Sequence, residues 1–144
     1  MTSQGTAHIS VVVYRGSPLD YPQYRHTSLW IRFADGNSPF LAHIVGPLQA
    51  FEFETKEMHD PTTTRSFAKL ISVGWLRVSW TPSQITTFLQ NVRIDRFDRE
   101  FNCQTWIERA LKSLKDLRVL TPAEYDLGIN GMVDAIAEAE DEES

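Results

Sequence analysis

The sequence is poor in cysteine and has no long hydrophobic stretch. Cys103 is the single cysteine among 144 residues, which excludes an internal disulfide and a cluster of thiolate ligands for zinc. The most apolar segments, such as Ile9 to Tyr14, are far too short to span a bilayer. The chain also does not open with a charged start followed by a long apolar stretch, as a secretory signal would. We therefore expect a soluble cytoplasmic protein without a stable membrane anchor.

Positive charge is scarce as well. The chain has 14 Lys and Arg against 19 Asp and Glu, which gives a net charge of −5. Six of the acids fall in residues 134–144, which contain no Lys or Arg, so the rest of the sequence is close to neutral. A nucleic-acid-binding domain would need a clear basic excess on one face, so we expect no nucleic-acid partner. We predict one domain over residues 1–138 and a flexible acidic tail over 139–144, which has no large apolar side chain to bury.

The first half of the chain predicts β-strands. Several short segments alternate apolar and polar side chains, and the first of them is rich in β-branched residues. Asp35-Gly36 lies between two such segments and is a common hairpin signal. Gly16-Ser17-Pro18, Tyr21-Pro22 and Gly46-Pro47 interrupt the pattern. The predicted strands are residues 8–15, 24–33, 40–45, 48–54 and about 70–78.

The second half predicts three helices. Thr81-Pro82-Ser83-Gln84 and Thr121-Pro122-Ala123-Glu124 are capping boxes, each with proline at the first helical position. Between them, Asn102 caps a helix that runs to about Leu117, and its apolar residues have the spacing of one buried stripe. That stripe contains Trp106, Ile107, Ala110, Leu111, Leu114 and Leu117. Strands followed by helices predict an α+β fold in which an antiparallel sheet packs against helices.

Cys103 and two histidines form the candidate catalytic group. Cys103 lies in the first turn of its predicted helix, where the helix dipole and free N–H groups favour a thiolate. If Asp35-Gly36 is a two-residue turn, paired positions sum to 71, and His43 lies opposite Ser28 and diagonal to His26, roughly 7–8 Å away. A four-residue loop also keeps both histidines on one face, whereas a one-residue slip separates them. A small buried core residue is the alternative interpretation of Cys103, and a satisfied imidazole that of each histidine.

The same residues resemble a known family. His26-Thr27-Ser28-Leu29-Trp30-Ile31 and Leu41-Ala42-His43-Ile44 resemble the two histidine strands of lecithin:retinol acyltransferase-like proteins. Asn102-Cys103-Gln104-Thr105-Trp106 resembles their Asn-Cys-Glu-x-Phe signature, and also an Asn-Cys-Gln-x-Trp motif of small uncharacterised fungal proteins. The order His, His, Cys is that of the circularly permuted papain-like branch of the NlpC/P60 superfamily, which includes the PPPDE-type peptidases. The resemblance covers roughly residues 24–117.

The resemblance implies a permuted papain-like fold and a thiol enzyme without a cofactor. Cys103 would be the nucleophile, His26 its base and His43 a group that orients or polarises His26, acting on an ester, thioester or amide of a small-molecule, acylated or peptide substrate. Gln104 departs from the acidic residue of the family signature, and the chain lacks the hydrophobic C-terminal anchor of the lipid-acting members, which argues against a phospholipid substrate.

Three further residues are candidates for substrate binding, and other functions remain open. Trp30 and Ser28 share the His26 face of their strand, and Gln104 follows the cysteine; core packing is the alternative for Trp30. His26 and His43 have no third metal ligand at convincing spacing, so no metal is expected. The alternative functions are a biosynthetic tailoring enzyme that catalyses cyclisation, isomerisation or rearrangement in the same pocket, and a non-catalytic binding module. The sequence leaves the oligomeric state open.

Overall fold

The computed structural model describes residues 6–16, 25–47 and 49–139, which form one antiparallel sheet and three helices. The fold is therefore α+β, as the sequence predicts. No helix in these residues is long and apolar enough to cross a bilayer. The predicted breaks after Gly16 and the predicted tail, except Ala139, lie outside the described residues. The strands are β1 (Ala7–Tyr14), β2 (Thr27–Phe33), β3 (Phe40–Val45), β4 (Glu52–Glu57) and β5 (Phe67–Trp75), and a short 3₁₀ turn spans Pro61–Thr63.

Three strands begin or end several residues from their predicted positions. β2 begins at Thr27 and not at residue 24, so His26 precedes the strand on which it was predicted to lie. β4 begins at Glu52, whereas the prediction began at residue 48, because the preceding turn extends further along the chain. Gly46 has φ 119° and Gln49 has φ 67°, and a Cβ at Gly46 would lie 2.8 Å from the Ala50 carbonyl oxygen. β5 ends at Trp75 instead of about Val78, because the chain turns inward there to bury the next residue in the core.

The register between β2 and β3 matches the one that the Asp-Gly turn predicts. Leu29 pairs with Ala42 and Ile31 with Phe40, so paired positions sum to 71. The connection itself is longer than a two-residue turn and spans residues 34–39. The sheet order is β4-β3-β2-β1-β5, which makes β4 and β5 the edge strands.

Each face of the sheet has its own apolar cluster. Alternate side chains of the central strands, such as Val11, Leu29 and Ile44, face the helices and form the main core. The opposite face carries a smaller cluster around Val12, Tyr14 and Leu41, which Trp30, Met58, Phe67 and Leu70 border. Because side chains alternate along a strand, Ser28 and His43 lie on this second face, away from the helices. The face towards the helices is therefore lined by apolar side chains, whereas the opposite face also carries the polar side chains of Ser28 and His43.

The three helices begin at the capping residues that the sequence indicates. They are α1 (Pro82–Gln90), α2 (Cys103–Asp116) and α3 (Pro122–Ala137), and each begins with a capping box. The prediction that Leu117 belongs to the buried stripe of α2 is wrong, because Leu117 is 58% exposed. The helix ends before it, since Arg118 adopts a left-handed backbone with φ 63°. The other five predicted stripe residues of α2 are buried.

Candidate active site

The candidate site lies at one end of the sheet. β1 and β3 end there, β2 and β4 begin there, and the N-terminus of α2 lies beside them. A cavity of about 490 Å³ opens between these elements, and Cys103, His26 and His43 all line it. The fold thus brings the three predicted catalytic residues to one cavity, although Cys103 and His43 come from opposite sides of the sheet.

Cys103 is the first residue of α2 and is half-buried at the margin of the main core. The side chain of Asn102 accepts hydrogen bonds from the backbone N–H groups of Gln104 and Thr105, at 3.0 and 3.1 Å. This cap occupies two of the donors that a helix start would otherwise offer to an anion. The N–H of Cys103 is not engaged by the cap, so it is the first-turn donor best placed for an oxyanion beside the thiol.

His26 lies immediately before β2, where its ring is largely enclosed. It stacks on Tyr14 with ring centroids 5.8 Å apart, and its Nε2 lies 2.9 Å from Nδ1 of His43. Burial first and the neighbouring His43 second lower the pKa of His26 to about 4, although Glu54 opposes the shift. His26 is therefore neutral at pH 7, the protonation state that a general base requires.

His43 connects His26 to a carboxylate. Its Nε2 lies 2.9 Å from Oε1 of Glu54, and its Nδ1 faces both His26 and the hydroxyl of Ser28, which is 3.1 Å away. A neutral imidazole carries one N–H, and a carboxylate only accepts, so the hydrogen of neutral His43 is on Nε2. Its Nδ1 then accepts, and the hydrogen of His26 is on Nε2. This arrangement leaves Nδ1 of His26 as a free proton acceptor.

The cavity beside Cys103 supplies room for a substrate, and His26 is among its lining residues. Ile44, Val45 and Phe51 give it an apolar wall, and Arg25 and Asn102 line its polar side. Within the described part of the chain, the hydrogen bond of the His26 ring goes to His43 rather than to the Cys103 thiol. The chain Glu54, His43, His26 is therefore assembled independently of the cysteine, which faces it across the cavity.

The three predicted substrate-binding residues make contacts within the protein. Ser28 is fully buried, and its hydroxyl lies 3.1 Å from Nδ1 of His43. Trp30 donates from Nε1 to the Met58 carbonyl at 2.8 Å on the second face of the sheet and does not line the Cys103 cavity. Gln104 donates from Nε2 to the Arg25 carbonyl at 3.2 Å. These contacts place Ser28 beside His43 and attach Gln104 to the residue before His26.

Sequence reasoning missed Glu54 and Arg25. Glu54 pairs with His43 across β3 and β4, so a correct register for β4 would have revealed it. Arg25 directly precedes the first histidine motif; it is buried and donates to the Ala135 carbonyl near the end of α3 at 2.7 Å. No sequence signal distinguishes this arginine from a surface one, because its partner is a backbone carbonyl far along the chain.

The hydrogen bond of Gln104, which follows Cys103, joins the start of α2 to Arg25, which precedes His26. We expect Gln104→Met, which keeps the length of the side chain but removes its donor, to lower the free energy of unfolding by about 1 kcal/mol. Gln90→Met, at the exposed end of α1, is the matched control and should change it by less than about 0.5 kcal/mol. Urea denaturation of both variants measures the difference, and equal stabilities would contradict a structural role for the Gln104 hydrogen bond.

The lowered pKa of His26 predicts acid-dependent stability. The unfolded chain binds a proton near pH 6.5, whereas the folded chain does so only near pH 4. The contribution of His26 to the free energy of unfolding is therefore complete above about pH 6.5. It decreases as the pH falls towards 4, and the loss is about 2 kcal/mol between pH 7 and pH 5. Denaturation at the two pH values should show this loss in the native protein and a smaller one in His26→Gln. An identical loss in both proteins would mean that His26 is not buried in its neutral form.

Among the described residues, no group of three or more His, Cys, Asp or Glu side chains is arranged to hold a metal ion. No curated protein and no solved structure matches the chain. Residues 9–121 match the profile of a protein family that is described as a family of unknown function, DUF6540. The match includes β1 from Ile9 onwards, the other four strands, α1, α2 and every residue of the candidate site. The chain belongs to the DUF6540 family.

Proposed function

We propose that this protein is a cysteine hydrolase or acyltransferase that acts on an ester, thioester or amide. The observation that carries the proposal is the position of His26. Its ring is hydrogen-bonded to His43, which is itself bonded to Glu54, and it lines the same cavity as Cys103. A nucleophile, a base and a group that orients the base are the parts that nucleophilic catalysis by a thiol requires.

The proposed reaction proceeds in two steps. Nδ1 of His26 takes the thiol proton, and Sγ of Cys103 attacks the carbonyl carbon, whose oxygen becomes negative and accepts from the Cys103 N–H. The tetrahedral intermediate collapses, His26 returns the proton to the leaving group, and a thioester on Cys103 remains. His26 then deprotonates water or another acceptor, which attacks the thioester and frees the thiol. Glu54 favours the positively charged form of His26 in each step through His43.

The arrangement of the strands and of α2 supports our proposal that the fold is permuted papain-like. A cysteine at the start of a helix, an antiparallel sheet that presents two histidines, and the chain order His, His, Cys are together typical of the permuted papain-like proteins that the sequence resembles. In this proposal Gln104, where that family has an acidic residue, fixes α2 to the segment before β2. The departure from the family signature then concerns the position of the helix and leaves the nucleophile and its base unchanged.

Alkylation of Cys103 tests the proposal directly. At pH 7, iodoacetamide should label native protein at least about 10-fold faster than His26→Gln, because His26 accepts the thiol proton. Intact-protein mass spectrometry measures both rates, and Cys103→Ser is the control that should not be labelled. A reactive acyl thioester should also leave one acyl group on Cys103. Labelling that requires denaturation would support a cysteine of the core and contradict the enzyme proposal, and product analysis would separate hydrolysis or transfer from rearrangement.

A further inference from the structure

A second cavity, of about 370 Å³, lies on the face of the sheet opposite the helices. Among the residues that the structure describes, it shares His26 and His43 with the Cys103 cavity, and these two side chains stand between the cavities. Leu41 and Met58 give it an apolar surface beside the ring of Tyr14. Its volume is in the range of small-molecule sites, and a mainly apolar lining with a few polar groups is typical of them.

The charged groups of this second cavity are of one sign. Arg15 and Lys56 line it together with the hydroxyls of Thr64 and Ser66, and no Asp or Glu is among the described lining residues. One NH2 group of Arg15 donates to the Arg65 carbonyl at 2.7 Å, which holds the guanidinium at the rim. Neither Arg15 nor Lys56 forms an ion pair within the described residues. In a chain with more acids than bases, this composition selects against cations and favours an anion.

We propose that the second cavity binds a small amphiphilic anion. Its apolar body lies against Leu41 and Met58, and its carboxylate or phosphate lies between Arg15 and Lys56. Because the anion contacts neither Cys103 nor the start of α2, this inference does not rest on the proposed thiol chemistry. A bound ligand also contacts the Tyr14 and His26 face of the cavity, so its arrival changes the environment of both histidine rings.

Titration with probes that share a hexyl chain tests the site. Heptanoate and hexyl phosphate carry the two anionic groups on the same apolar body, and 1-hexanol is the neutral analogue. NMR should show saturable shifts of the His26 and His43 ring resonances with at least one anion below about 10 mM, and at least about 10-fold weaker binding of hexanol. The tighter of the two anions identifies the head group. The same titration in Cys103→Ser should give the same affinities.

Variants of Arg15 and Lys56 test whether these two cations bind the anion. Arg15→Gln combined with Lys56→Gln should weaken binding of the preferred anion at least about 10-fold. Lys69→Gln is the control, since Lys69 is exposed on β5 and does not line the cavity. No saturable shift with either anion, equal affinity for hexanol, or unchanged affinity in the double variant would each overturn the proposal. If Cys103 is labelled only after denaturation while the anion still binds, the proposed function is refuted and the second cavity remains an anion site.

Discussion

Replacement of His26 by alanine is expected to lower turnover of an activated ester or thioester by about 10²–10⁴-fold. Within the described residues, Nδ1 of His26 is the imidazole nitrogen of the Glu54, His43, His26 chain that the hydrogen bonds leave free, and the ring lines the Cys103 cavity. Its removal abolishes proton abstraction while leaving the nucleophile in place. Because the ring lies just before the start of β2 and outside the main core, the variant should remain folded, with unchanged circular dichroism.

His59→Ala is the matched control for that experiment. The His59 side chain is 76% exposed and lines neither cavity, so its loss should leave turnover unchanged within about twofold. Full activity in folded His26→Ala would remove His26 from the role of base. Equal losses in both variants would point to a general effect of histidine removal and not to a specific site.

Local signals predicted most of the secondary structure, because those signals depend on few residues. Thr81, Asn102 and Thr121 each cap a helix, and the side-chain and backbone bonds of a cap lie within four residues of each other. The β2–β3 register also follows from short-range alternation. The position of β4 does not, since it depends on the left-handed backbone at Gln49, a residue type that gives no clear turn signal.

The sequence predicts the central residues of the candidate site better than it predicts the side chains that contact them. His26, His43 and Cys103 are chemically distinctive, and their strand and helix contexts can be inferred from sequence. Glu54 is one of many acids and becomes distinctive only when β4 pairs with β3. The position of His43 on the face away from the helices likewise depends on which face the helices cover, and alternation alone does not determine that choice.

Substitutions of His43 should separate hydrogen bonding from bulk. His43→Ala removes both the acceptor for His26 and the donor to Glu54, so the His26 ring loses its fixed orientation, and turnover should fall about 10²-fold. Asn and Gln each retain an acceptor and a donor. His43→Asn and His43→Gln should therefore keep more activity than His43→Ala, whereas no such rescue is expected for the same substitutions of His26.

Glu54→Gln extends the test from geometry to charge. The glutamine oxygen still accepts from Nε2 of His43, but the negative charge that raises the pKa of His26 is gone. The pKa of His26 should therefore fall below about 4, and the acid limb of the pH–rate profile, where protonation of the base stops turnover, should move to lower pH. A merely structural role of Glu54 would reduce activity equally at all pH values. An unmoved acid limb, together with equal losses for His43→Asn and His43→Ala, would leave His26 as the base but show that it acts without the support of His43 and Glu54.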